Sequence, residues 1–309
     1  VLTLSESQNI GTGTYRNTFV KGMDLSTLSE VENCGGKFYD NGLKDDAIAI
    51  LKRYGMNLVR LRLWNDPYSE DGIPYGAGTN DLLREGRARP LCEARLKDTG
   101  VDWMLDLHYS DFWADPGKQI IPKDWQGMEP IALAGAVYDF TFSVMNTLAD
   151  SGLLPAITAV GNELSNGLWP FGRTPNFENI VLFLNAGIQA VRDAAPGMKI
   201  MLHLDNGGSN MLYRTWFDSY FARGGKDFDY IGLSYYPFWH GTMDDLKNNM
   251  QDLALRYHKD MIVAEVSTGF TLEDYASYEK LAPEERKGMA TKRELAEKVP
   301  YPMTPFGGH

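Results

Sequence analysis

Cysteine is nearly absent: Cys34 and Cys92 are the only two in 309 residues, far apart and without a CxxC spacing. A thiolate metal cluster and a disulfide framework both lack the residues they need, so two free thiols are expected. Long apolar runs are missing as well, and no stretch of eighteen apolar residues offers a membrane span. Cations are in deficit, with 30 Lys and Arg against 41 Asp and Glu and a formal net charge of −11. A partner bound by neutralising its phosphates needs clustered cations, so nucleic acid is excluded as a partner class, and no membrane partner is expected. The first twenty residues have neither the basic start nor the apolar centre of a signal peptide. Because the chain begins at Val1, a cytoplasmic protein and a processed secreted one both remain open.

What the chain does have is apolar content, 43% of residues, enough to bury one large core. Its 14 Phe, 16 Tyr and 7 Trp suit a surface that stacks on sugar rings and suit an ordinary core equally well. Short apolar runs recur along it: FVKGM (19–23), LVRLRLW (58–64), WMLDLHY (103–109), AITAVG (156–161), KIMLHL (199–204), YIGLSYY (230–236) and MIVAEV (261–266). Stretches able to carry helical periodicity lie between them, among them Asp45 to Tyr54, Ile131 to Ala149, Phe177 to Ala194 and Met243 to Tyr257. Alternation of this kind predicts repeated βα units and a parallel sheet.

A doubly wound sheet and a closed barrel both satisfy that alternation, so the polar residues decide. Asp24, Asn65, Asp66, His108, Asn162, Glu163, Asp205, Asn206, Tyr235, Tyr236 and Glu265 all stand at the carboxyl ends of predicted strands. No glycine-rich phosphate loop follows any strand, and GTGTY (11–15) precedes the first. Reactive residues gathered from many strand ends are the pattern of a (β/α)8 TIM barrel. The absence of a linker or composition shift makes residues 1–309 a single catalytic domain. One segment fits poorly: 82–100 should be the second helix yet holds Gly86 and Pro90, and an interior proline costs ~3 kcal/mol, so a broken or irregular helix is expected there.

Glu163, in VGNELSNG, and Glu265, closing MIVAE, are predicted to end the fourth and seventh strands and so to converge over the barrel mouth. Retaining glycoside hydrolysis needs such a pair, one protonated acid and one carboxylate nucleophile, about 5 to 5.5 Å apart. Asn162 is placed to hold a sugar hydroxyl beside the scissile bond, and a tyrosine such as Tyr235 to donate to Glu265. A solvated loop glutamate is the competing reading for either one alone.

The same residues carry a family resemblance. GMDLSTL, YGMNLVRLRLWNDP, DLHYSDFWADPGKQ, VGNELSNGLWP, LHLDNGG, GLSYYPFWHGT and IVAEVS follow one another as in the glycoside hydrolase 53 endo-β-1,4-galactanases, over about residues 18 to 308 apart from 82 to 100. The resemblance implies hydrolysis of β-1,4-D-galactosidic linkages in galactan and type I arabinogalactan, the pectin side chains, with Glu163 as acid/base and Glu265 as nucleophile. It also implies that Arg60 helps keep Glu265 ionised; Arg62, two positions on, faces the same side and is not separated from it by the pattern. His108 can be read as metal ligand, base or hydrogen-bonding residue, and the resemblance favours sugar contact. Trp113, Trp169 and Trp239 are candidate stacking platforms, with core packing as the alternative. Asp24 stands at the first strand end, and Asp205 and Asn206 are candidate partners for sugar hydroxyls. No cofactor is expected, and no metal. Some family members hold calcium after the seventh strand, but STGFTLEDYASYEKLAPEERKG has no alternating run of oxygen ligands.

The family pattern continues to an eighth strand bearing Trp-Glu-Pro, and nothing between Thr268 and His309 has the length and apolar content of a strand. The expectation is a barrel lacking its eighth strand, with open edges and self-association through them. Two other functions follow as alternatives: a catalytically silent galactan-binding protein, and a retaining glycosidase of the same clan acting on mannan or glucan.

Overall fold

A computed structural model describes residues 19–75, 95, 96, 99–237 and 239–267. Seven parallel strands form one sheet in which spatial order follows chain order: β1 (Gly22–Asp24), β2 (Leu58–Leu63), β3 (Asp102–Leu107), β4 (Ile157–Val160), β5 (Lys199–Leu204), β6 (Tyr230–Ser234) and β7 (Asp260–Glu265). Among the described residues six α-helices lie between them: α1 (Leu28–Asn33), α2 (Ala47–Arg53), α3 (Pro130–Asp150), α4 (Phe177–Ala194), α5 (Asn210–Ala222) and α6 (Met243–Tyr257). A small antiparallel hairpin, Phe38–Asp40 with Leu43–Asp45, is inserted between α1 and α2. Residues 76–94, which hold most of the irregular segment, lie outside the described residues, as do GTGTY, the loop tested for calcium and the region expected to lack an eighth strand.

Curvature follows from one contact. Arg60 on β2 lies 2.8 Å from Glu265 on β7, although five strand spacings of about 4.8 Å would separate these strands by roughly 24 Å in a flat sheet. The sheet is therefore rolled into the (β/α)8 barrel architecture, of which the described residues give seven strands.

Period-two alternation sorts side chains between two cores. Leu58, Met104, Ile157, Ala159 and Met201 point inward and form an apolar plug inside the barrel. Their neighbours Val59, Leu61, Leu105, Leu107, Leu202, Leu204, Ile231 and Leu233 point outward to the helices. β2 is buried along its whole length, as expected for parallel strands covered on both faces. The helices close the outer layer with an apolar stripe, which in α4 runs through Ile180, Leu184, Ile188 and Val191. α6 begins with a capping box in which Thr242 Oγ1 accepts from the Asp245 amide at 3.1 Å and Asp245 accepts from the Thr242 amide at 2.8 Å. α3 is long and apolar enough by composition to cross a membrane, but its Leu133, Val137, Val144 and Leu148 are buried inside the protein.

Candidate active site

Above the apolar plug the inward positions become polar. On β2 the register that points Leu58 inward also points Arg60 and Arg62 inward; on β3 Asp106 follows Met104, and on β5 His203 follows Met201. Arg60 is the hub. Its Nη2 donates to Asp106 Oδ2 at 2.6 Å and to Asn162 Oδ1 at 2.9 Å and forms an ion pair with Glu265 Oε1 at 2.8 Å, and its Nη1 donates to Asp24 Oδ2 at 3.1 Å. Arg62 takes a separate position, its guanidinium stacked 3.7 Å from the centroid of the Trp113 ring. The two arginines that the sequence leaves unresolved thus divide, and only Arg60 touches Glu265.

Glu163 enters the same space from the turn after β4, with its backbone in the left-handed region at φ 48°. A non-glycine residue there stores about 1 kcal/mol or more of strain, which surrounding structure must hold in place. Its Oε1 lies 2.6 Å from Ser234 Oγ on β6. Ser234 Oγ is in turn 2.9 Å from His203 Nε2, and His203 Nδ1 is 2.8 Å from Asn162 Oδ1. A carboxylate oxygen of Glu163, one of Glu265 and a ring nitrogen of His203 lie within 4.8 Å of one another. These three groups could in principle share a divalent cation, but each is already engaged by Arg60, Tyr236, Ser234 or Asn162.

The electrostatics separate the two glutamates. Burial pushes the Glu163 carboxyl up, the charge of Glu265 adds to this, and it reaches about 8. Burial pushes Glu265 up as well, but the Arg60 guanidinium and the Tyr236 hydroxyl, 2.9 Å from Oε2, outweigh it and hold that carboxyl below its ordinary value. One is an acid and the other an anion at neutral pH, the division that retaining hydrolysis asks for. Asp106 is fully buried, yet Arg60 and His108 keep it well below the usual carboxylate range. Burial lowers His203 to about 4, so its ring is neutral.

Of the residues singled out in the sequence, Asp24, Arg60, Asn162, Glu163 and Glu265 meet in this network. Asp205 stands nearby, 8% exposed, with Oδ1 buried and unbonded, and its Oδ2 accepts from Asn206 at 2.6 Å. Trp113 and Trp239 keep exposed faces, 38% and 52%. Three expectations need correction. Trp169 is wholly buried, donates from its indole to the Tyr109 carbonyl and packs on Trp125 and Phe183, so it has no face for a sugar. His108 is 1% exposed, with Nε2 on Asp106 and Nδ1 accepting from Trp64 and Ala114, which leaves no nitrogen for substrate. Tyr235 shares the outward parity of Ile231 and Leu233 and bonds the Gly241 carbonyl, whereas the tyrosine on Glu265 is Tyr236. Asn162 is 3% exposed; its oxygen serves Arg60 and His203 and its amide serves the Ala114 carbonyl, so it fixes these groups before any sugar arrives. Asp106, His203 and Ser234 join the site beyond the strand-end residues, and their signal in the sequence is a polar residue at inward parity within an otherwise apolar strand.

The model for glycosyl hydrolase family 53 matches residues 20–299. The endo-beta-1,4-galactanase of Bacillus subtilis is 32% identical over 290 residues, which cover 94% of this chain and 63% of that protein. A probable arabinogalactan endo-beta-1,4-galactanase A of Neosartorya fischeri is 38% identical over 255 residues, covering 79% of this chain and 68% of its own. Among solved structures, the Ignisphaera aggregans GH53 catalytic domain is similar with a TM-score of 0.77 and 42% identity, covering 82% of this chain and 69% of that one. A structure of fungal beta-1,4-galactanases gives 0.73 and 32%, over 82% of this chain and 75% of its own. The chain belongs to glycosyl hydrolase family 53.

Proposed function

We propose that this chain is a retaining endo-β-1,4-galactanase acting on galactan and type I arabinogalactan, with Glu163 as acid/base and Glu265 as nucleophile. The observation that carries the mechanism is the approach of a Glu163 and a Glu265 carboxyl oxygen to within 4.8 Å of one another, with burial raising the first carboxyl and Arg60 lowering the second. In the first step Glu265 attacks the anomeric carbon while Glu163 gives its proton to the leaving glycosidic oxygen. Glu265 then carries a glycosyl ester and no charge, so one of the influences raising Glu163 disappears. The ionised Glu163 is left suited to take a proton from the water that cleaves the ester. Galactan as the substrate rests on the family and on the names of its galactanase relatives.

Purified protein is expected to release short galacto-oligosaccharides from potato galactan and nothing from mannan or cellulose assayed beside it. Glu163→Ala and Glu265→Ala should each lower turnover by about 10²-fold or more. A variant that keeps wild-type turnover removes its residue from the mechanism, and cleavage of mannan in preference to galactan removes the substrate assignment.

A further inference from the structure

Counting hydrogens along the chain of side chains behind Glu163 fixes more than its position. The Asn162 amide nitrogen donates to the Ala114 carbonyl at 2.8 Å, which turns its oxygen toward Arg60 and His203. An amide oxygen only accepts, so His203 Nδ1 must carry the ring proton in that contact. A neutral imidazole has one N–H, and Nε2 is therefore a bare acceptor facing Ser234 Oγ at 2.9 Å. Ser234 has a single hydroxyl proton, and Nε2 takes it. What remains on Ser234 Oγ toward Glu163, 2.6 Å away, is a lone pair, and only a protonated carboxyl can bond to it.

We propose that Ser234 and His203 are positioning residues whose fixed hydrogen-bond polarity, set by Asn162, holds Glu163 in its acid form. This rests on the reading of Glu163 as the acid. The charged and titratable groups facing the chain are Glu265 on β7, Arg60 on β2, Asp106 and His108 on β3, Asp205 after β5 and His240 after β6, with the Tyr236 and Tyr213 hydroxyls. Burial keeps His203 from becoming an imidazolium in their midst. Once Glu163 has passed its proton to the leaving oxygen, the Ser234 hydroxyl turns to the new carboxylate and leaves Nε2, which is wholly buried, without a donor. That orphaned acceptor favours return of the proton from water to Glu163, which resets the acid.

The direct test is the 15N spectrum of His203 at neutral pH in the whole chain, assigned by the signals lost in His203→Phe. The expected result is a protonated Nδ1 and an unprotonated Nε2, unchanged in Glu163→Gln, whose amide donates to Ser234 as the acid does. A protonated Nε2 overturns the proposal. Kinetics give a second reading: His203→Phe frees the Ser234 proton for the Glu163 carboxylate. The basic limb of the pH profile for galactan cleavage should then move to lower pH by about one unit. A limb that stays or moves up, with a merely smaller kcat, shows a structural role and overturns the proposal. The spectrum needs no turnover, so a chain inactive on galactan refutes the proposed function and leaves the tautomer to decide this inference.

Discussion

Arg60 joins Asp24, Asp106, Asn162 and Glu265 through one planar fork. A lysine keeps the charge but presents a point in place of that fork, so Arg60→Lys is not a conservative change. Its expected effect is a loss of about 10²-fold in kcat/KM and a rise in the pKa of Glu265. Because activity requires Glu265 ionised, the acid limb of the pH–rate profile should then move upward, and an unmoved limb would count against the role given to Arg60. Glu163 makes the opposite demand on the fold. Its folded pKa of about 8 lies above its unfolded value, so the native state binds the extra proton, and stability is lost as pH rises from the unfolded value toward 8. Glu163→Gln cannot ionise. Its melting temperature is expected to exceed that of the parent by a margin that widens between about pH 4.5 and pH 8 and then stays constant. A margin independent of pH would contradict the protonated assignment.

At the scale of elements, the Thr242 and Asp245 capping box satisfies two amides that α6 would otherwise leave bare. Thr242→Ala should cost about 1 kcal/mol, measurable in urea melts, with galactan cleavage unchanged. The sequence made these elements readable to different degrees. Phe177–Ala194 and Met243–Tyr257 are helices over the very spans their periodicity predicts, and KIMLHL is a strand from end to end. α5 is harder to read, because Tyr213, Trp216, Phe217 and Tyr220 are aromatics of strand-forming character that helical spacing gathers on one buried face. The site shows the same division. Residues just past a strand end, such as Glu163 three positions after Val160, stand out because a charge follows an apolar run. Trp169 misleads because a loop tryptophan can fold back under the barrel rim, and Tyr235 because one step along a strand reverses the face. His203 and Ser234 gain meaning only from partners 41 and 71 residues away in sequence.

For the whole molecule, the tie between β2 and β7 makes assembly of the site and rolling of the sheet one event. A chain folded as far as β6 has Arg60 against Asp24 and Asp106, with Glu163 and His203 in place, yet no nucleophile. Competence therefore switches on with the docking of the seventh strand and cannot build up gradually as earlier units form. In a refolding time course, tryptophan fluorescence should report burial of Trp64, Trp125 and Trp169 first. Galactan cleavage should return only with the slowest phase, which makes catalysis itself a clock for completion of the fold.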